Sequence, residues 1–240
     1  CRPAAGGDFG RMPPVKKRQS GYSFRKRSGH ETIYLPPRTQ PRRLAIFMAE
    51  KNIAVETQVI DLMAREQFSS EYLEINPCGT VPALQLDSGE CLTEVVGMYA
   101  YLEEQYPDKP LLGADALSRA QILSWDHCCF VEGFLAVAEV LRNSNKAFAG
   151  RALPGPVGYE QVPALVERGR QRIQAFYRIL DQHLQGREYM VGGEFSVADI
   201  AAWVFVEFSG WVKEQVPAEF AALGGWCERL KTRPSVQKPG

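Results

Sequence analysis

The chain has 240 residues, 45% of them hydrophobic and 23% charged, and its 28 basic and 28 acidic residues give a formal net charge of zero. That length suits one large domain or two modest ones with real cores, and no apolar run approaches the ~20 residues of a membrane span. Six cysteines (Cys1, Cys78, Cys91, Cys128, Cys129, Cys227) show no C-x-x-C spacing, and the three histidines (His30, His127, His183) lie far apart. This pattern excludes a readable disulfide framework or metal motif and points to a reducing, cytoplasmic compartment.

The charge is unevenly spread. Residues 1–30 hold eight bases and one acid, and the remainder is correspondingly acidic. This opening segment is rich in Gly, Pro and Ser and poor in aliphatic residues, so it reads as a basic, disordered leader. A transit peptide, an interaction arm and upstream sequence without a role in the fold all fit it. No nucleic-acid motif accompanies the charge. A first residue other than Met suggests that the true start lies upstream.

From residue 31 the pattern is βαβαββα. Glu31 to Leu35 reads as a strand, and Pro41 suits the first turn of a helix over Arg42 to Lys51 with an apolar face at Leu44, Phe47 and Met48. Val55 to Ile60 is a second strand. Ser69 or Ser70 caps a short helix that ends at Asn76-Pro77. Ala83 to Leu86 and Cys91 to Thr93 form a hairpin about Asp87-Ser88-Gly89, and a helix runs from Val95 to Gln105.

Just before that hairpin, NPCGTVPAL sets Pro82 against an apolar strand. Proline has no N–H for a sheet ladder, so it belongs at a strand's start, edge or bulge. A cis Val81–Pro82 bond would leave the Val81 backbone facing outward to pair with an extended ligand. A trans turn before a strand is the alternative.

Beyond a linker at 108–114 only helical periods occur. Leu123, His127, Phe130, Phe134, Ala138 and Leu141 form one stripe, with His127 read as a satisfied core residue. Pro154-Gly155-Pro156 breaks the run. Ile173, Phe176, Tyr177, Leu180 and Leu184 form a second stripe, ended by Gly186. Ile200 to Phe208 is apolar nearly all round, hence buried. Ser196-Val197-Ala198-Asp199 has capping-box spacing, which gives Asp199 a role in folding. The expected organisation is a leader over 1–30, a mixed α/β domain over 31–107, and an all-helical domain over 115–240.

TIYLPPRTQPRRLAIFMAEKNI, SSEYLEINPCGTVPALQLDSGECLTE and YAYLEEQYP together resemble a cytosolic glutathione transferase of the bacterial type. REYMVGGEFSVADIAAW and ERLKTRPSVQ resemble that family's buried-helix entry and closing helix. The resemblance covers roughly residues 31–236, and its specificity lies in the order and spacing of the segments. It implies a thioredoxin-like N-terminal domain, an all-α C-terminal domain, glutathione as co-substrate and a homodimer. It also implies that the Val81–Pro82 bond is cis, with the Val81 backbone pairing with the cysteinyl part of glutathione.

Thr80, Val81, Pro82, Glu94 and Val95 are the implied glutathione-binding positions. Glu94 would take the γ-glutamyl ammonium, or act only as an acid at a helix start. Val95 stands where the family carries a hydroxyl, so one side-chain bond to the γ-glutamyl carboxylate is missing and the backbone N–H remains. The catalytic hydroxyl is Thr39, in PRTQPRR, which resembles the serine-type loop, or Tyr34, which precedes a proline as in tyrosine-type members. Thr39 is preferred, although the loop is one residue short. Helix capping by Thr39 and a strand role for Tyr34 are the structural alternatives. Trp125, Cys128 and Cys129 border an acceptor pocket or fill the core. Arg42 and Arg43 face the ligand or the dimer partner.

The resemblance implies conjugation of the glutathione thiolate to a small hydrophobic electrophile. The rival is a glutathione-fold binding or scaffold protein without turnover. No metal, nucleic-acid or membrane partner is expected.

Overall fold

A computed structural model describes residues 32–35, 39–62 and 64–237. The expected leader over 1–30 lies outside the described residues, as do 36–38 in the first loop. The strand β1 (Thr32–Leu35) lies parallel to β2 (Glu56–Val59), with helix α1 (Thr39–Lys51) crossing between them. The short helix α2 (Ser70–Ile75) follows, its cap supplied by the Ser69 hydroxyl, which accepts from the Tyr72 N–H at 3.1 Å. β3 (Ala83–Gln85) then runs antiparallel to β1, and β4 (Cys91–Leu92) antiparallel to β3.

The sheet order is β2-β1-β3-β4. Helix α3 (Val95–Gln105) closes the unit and packs against α1, with the Phe47 and Tyr99 rings 4.6 Å apart. A βαβ unit joined to a ββα unit through one mixed sheet is a thioredoxin-like domain. The strands are shorter than their apolar runs suggest, and α1 begins three residues before Arg42.

The second half is helical. A long continuous helix comprises α4 (Ala116–Cys128), a π-helical turn at Cys129–Phe134 and α5 (Leu135–Ser144). It is followed by α6 (Ala164–Leu184), α7 (Val197–Ser209), α8 (Ala221–Lys231) and α9 (Pro234–Gln237). The α6 stripe is buried as read, and Gly186 takes a positive φ of 69° just past its end. Helix α7 is buried on nearly every side and touches both α1 and α4.

Asp199 anchors the start of α7. Its carboxylate accepts from Met190 N at 2.8 Å, Ser196 N at 3.0 Å, Ser196 Oγ at 3.1 Å and Trp226 Nε1 at 3.3 Å. Burial pushes its pKa up to about 6, and those four donors hold it from going higher. No helix among the described residues is long and apolar enough to cross a membrane.

The stripe expected from Leu123 to Leu141 is set about one residue late from its start. The buried positions are Ile122, Asp126 and Cys129, then Gly133, Phe134, Ala136, Val137, Val140 and Asn143. His127 and Phe130 are exposed, so His127 is not a core residue. The π turn at Cys129–Phe134 comes after Leu123 and His127, so the phase of the buried face is already set in α4 before it.

Gly133 sits where α7 and α6 press against that turn. A Cβ there would meet Phe205 Cδ2 at 2.7 Å and Phe176 Cε1 at 3.1 Å. Gly133→Ala is therefore expected to destabilise the protein by about 1–3 kcal/mol through overpacking. Urea unfolding is the check, and an unchanged midpoint would contradict this close approach.

Candidate glutathione site

The ladder between β1 and β3 ends at the pair Tyr34 and Ala83. Pro82, one residue earlier, cannot donate to it, and the Val81–Pro82 peptide is cis. Val81 lies outside the ladder, half-buried, at the point where the chain enters the sheet.

The loop in front of Val81 is built around Asn76, which is fully buried. Its Oδ1 accepts from the Cys78 N–H at 3.0 Å, and its Nδ2 donates to Thr80 O at 2.8 Å and Thr80 Oγ1 at 2.9 Å. Tyr72, reaching across from α2, donates its hydroxyl to the same Thr80 carbonyl at 2.5 Å. The carbonyl side of the Thr80–Val81 peptide is thus fixed by two buried donors. Sequence reasoning missed both residues. The available signal was the Asn76-Pro77 pair, read only as a helix stop.

Glu94 is the N-cap residue of α3 and is exposed, with φ −116° and ψ 133°. Its carboxylate makes no capping bond. The first-turn N–H groups of α3 are therefore not satisfied by that side chain, and they and the helix dipole favour an anion. Val95 is 6% exposed and its side chain belongs to the core. What it can offer a ligand is its backbone N–H.

Tyr34 and Thr39 are placed by backbone alone, and their side chains lie outside the described residues. Tyr34 pairs with Ala83 beside the proline turn, and Thr39 is the first residue of α1.

Helix α1 is clamped by both halves of the chain. Arg42 donates to Glu207 Oε2 on α7 at 3.2 Å and to the Val236 carbonyl. Arg43, 3% exposed, forms a buried ion pair with Asp126 on α4. Its guanidinium lies 5.7 Å from the Tyr99 ring centroid and 5.4 Å from that of Phe134. Burial opposes the Arg43 charge, and Tyr99 and Asp126 more than restore it. At the far end, Glu50 accepts from Arg233 at 2.9 and 3.1 Å, and Lys51 donates to Glu103 Oε2 at 2.7 Å.

Arg42 and Arg43, expected to face a ligand or a partner, are committed inside the chain. Of the two readings for Cys129, acceptor pocket or core, the core one holds, and burial pushes its thiol well above the usual range. Burial also raises the Cys91, Cys128 and Cys227 thiols, so none of these four is a poised thiolate. Trp125 packs on His183, ring centroids 4.1 Å apart. Two clefts, of about 370 and 490 Å³, lie in the helical half and are lined by neither Val81 nor Glu94. Among the described residues no group of three or more His, Cys, Asp or Glu side chains is arranged to hold a metal ion.

A thioredoxin-like domain ahead of an all-helical one, with backbone presented at a proline turn, is the arrangement of the glutathione-fold proteins. The family models "Glutathione S-transferase, N-terminal domain" and "Glutathione S-transferase, C-terminal domain" match residues 39–105 and 163–229. The chain is 32% identical over 208 residues to glutathione S-transferase 2 of Saccharomyces cerevisiae, covering 85% of this chain and 86% of that one. It is 27% identical to the disulfide-bond oxidoreductase YfcG of Escherichia coli, covering 85% and 91%. Among solved structures, a glutathione S-transferase domain-containing protein of Marinobacter aquaeolei superposes with a TM-score of 0.79. It is 26% identical and covers 85% of this chain and 99% of that one. The chain belongs to the glutathione S-transferase family.

The Asn76 network carries a direct test. Asn76→Ala removes three side-chain hydrogen bonds from a buried loop and is expected to cost about 2–4 kcal/mol. It should also speed hydrogen exchange at the Cys78 amide. Tyr72→Phe leaves Asn76 on the Thr80 carbonyl, and about 1 kcal/mol is expected. Equal losses from the two variants in urea unfolding would show that Asn76 is not the organiser.

Proposed function

We propose that the protein conjugates the glutathione thiolate to a small hydrophobic electrophile, a detoxification chemistry. The observation that carries the reading is the Thr80–Val81 backbone, its Thr80 carbonyl fixed by Asn76 and Tyr72 and its Val81 outside the ladder. In this reading Val81 outside the ladder pairs with the cysteinyl part of glutathione. Glu94, whose carboxylate caps nothing, takes the γ-glutamyl ammonium. The Val95 N–H and the helix dipole take the γ-glutamyl carboxylate.

The thiol must be ionised to attack. A free thiol has a pKa near 8.5, so lowering it by two units takes ~2.7 kcal/mol of preference for the anion. Thr39 at the first position of α1 is the proposed donor to sulfur, with the α1 dipole adding to it, and Tyr34 is the alternative donor. The thiolate lone pair forms the new carbon–sulfur bond and the leaving group or adjacent π bond takes the displaced electrons. We further propose a cytoplasmic homodimer, in line with the exposed apolar residues Leu117, Leu135 and Ile179 on the helical half.

A second reading, a glutathione-binding or scaffold protein without turnover, is favoured by one feature. The buried Val95 side chain offers no hydroxyl to the ligand. Kinetics separate the two. Thr39→Ala is expected to lower kcat/KM about ten- to hundredfold, the ~1.5–3 kcal/mol of a hydrogen bond to a charged group, while glutathione affinity changes little. Glu94→Gln should instead weaken glutathione binding, roughly tenfold or more by calorimetry. Loss of activity in Tyr34→Phe with normal Thr39→Ala would move the donor to the tyrosine. Glutathione binding with no turnover on any electrophile would favour the scaffold reading.

A further inference from the structure

The cleft of about 370 Å³ in the helical half is walled by two helix faces and the loop that joins them, and its size is that of a small-molecule site. Trp203 and Val206 of α7 and Gly210 at its C-cap line one wall. Gly224, Cys227 and Lys231 of α8 line the other. In both sets the spacing is three and then four residues, which keeps them on one side of the helix. The loop adds Val216, Pro217 and Phe220.

These walls are set before anything binds. Lys213, at φ 64°, turns the chain away from α7. Glu214 then accepts from Gln174 Nε2 at 2.7 Å and pairs with Arg170, both on α6. Phe220 N donates to Pro217 O at 3.0 Å, and Gly224 N to Phe220 O at 2.9 Å. The space between the walls is open, since a Cβ at Gly210 or Gly224 would meet nothing within 4 Å.

The polar groups of the lining differ in one respect. Glu214 is spent on α6, and Glu228 pairs with Lys231 at 2.5 Å, so the charged residues there already have partners. Trp203 does not. It is 5% exposed, and its indole N–H is buried without a hydrogen-bond partner among the described residues. The ring of Trp226, 6.5 Å away between centroids, has its N–H on Asp199 at 3.3 Å. An indole nitrogen only donates, and a buried donor left unpaired is costly, so what this wall lacks is an acceptor.

We propose that this cleft binds a small neutral molecule, apolar over most of its surface, whose single carbonyl accepts from the Trp203 indole N–H. An anion finds no unpaired cation in the lining, and a pure hydrocarbon leaves the N–H unmet. Val206, Val216 and Phe220 take the apolar body out of water. Neither Val81 nor Glu94 lines the cleft, so the site is separate from the glutathione positions and does not depend on the conjugation chemistry.

The test uses benzophenone, a neutral diaryl ketone, and diphenylmethane, which has a similar shape and no acceptor. Both are followed by equilibrium dialysis with S-hexylglutathione in excess, so that the proposed glutathione site is filled. The wild type is expected to bind the ketone about two- to tenfold more tightly, the worth of one neutral hydrogen bond. Trp203→Phe keeps an aromatic ring, removes the donor and should abolish that preference. Gly224→Leu puts a side chain into the open space and should weaken both probes at least tenfold, with no fall in the urea midpoint. This variant locates the probes whether or not the conjugate binds, and it decides the matter if Trp203→Phe fails to fold. Undiminished binding in Gly224→Leu places the probes elsewhere and overturns the site. So does a wild type that binds neither probe. Equal affinity for the two probes, or a ketone preference that survives Trp203→Phe, overturns the role of the indole N–H and with it the proposal.

Discussion

Asn76 has no contact with solvent and spends its whole side chain on the loop that follows it. One amide holds the Cys78 N–H, the Thr80 carbonyl and the Thr80 hydroxyl, and Tyr72 doubles the bond to that carbonyl. Everything proposed for the site depends on this constraint. A strand contributes its N–H and C=O to neighbouring strands, so a backbone that is to serve a ligand must be kept out of the ladder and still be rigid. Pro82 keeps Val81 out. Asn76 and Tyr72 supply the rigidity that the ladder would otherwise give.

The second constraint is helix α1. It belongs to the thioredoxin-like half by chain order, yet its side chains are tied to α3, α4, α7 and the closing segment. Breaking a buried pair such as Arg43–Asp126 from one side costs about 3–5 kcal/mol, because the other charge is left unpaired. Such pairs make the two halves one mechanical unit. The helix whose first residue is Thr39 is therefore positioned by the helical domain as much as by its own sheet. The loop between α5 and α6 adds a second contact between the halves, where Gly155 approaches the Cys78 carbonyl.

Legibility in the sequence followed the range of the interaction. Local signals read well: the Ser69 cap, the start of α3 at Val95, the α6 stripe and the Ser196–Asp199 box each involve residues a few positions apart. The long helix read badly because its stripe was set one residue late: Ile122 and Asp126 are buried where Leu123 and His127 were expected, ahead of the π turn. Asp126 was invisible as a buried position because its partner, Arg43, is 83 residues away. Asn76 was read as punctuation for the same kind of reason. Its three bonds look local only once the chain has turned back on itself at Thr80. The positions Thr80, Val81, Pro82, Glu94 and Val95 were named by resemblance. The residues that hold them were not, since a resemblance names contacts and leaves their supports unread.

The central claim is that the Val81 backbone is held out of the sheet in order to bind glutathione. Amide hydrogen exchange, followed residue by residue with and without glutathione, tests it most directly. The account predicts that the Val81 amide exchanges readily in the free protein and is protected when glutathione is added, while the Cys78 amide, already bonded to Asn76, is protected in both. Glutathione binding that leaves the Val81 amide as exchangeable as before would contradict it.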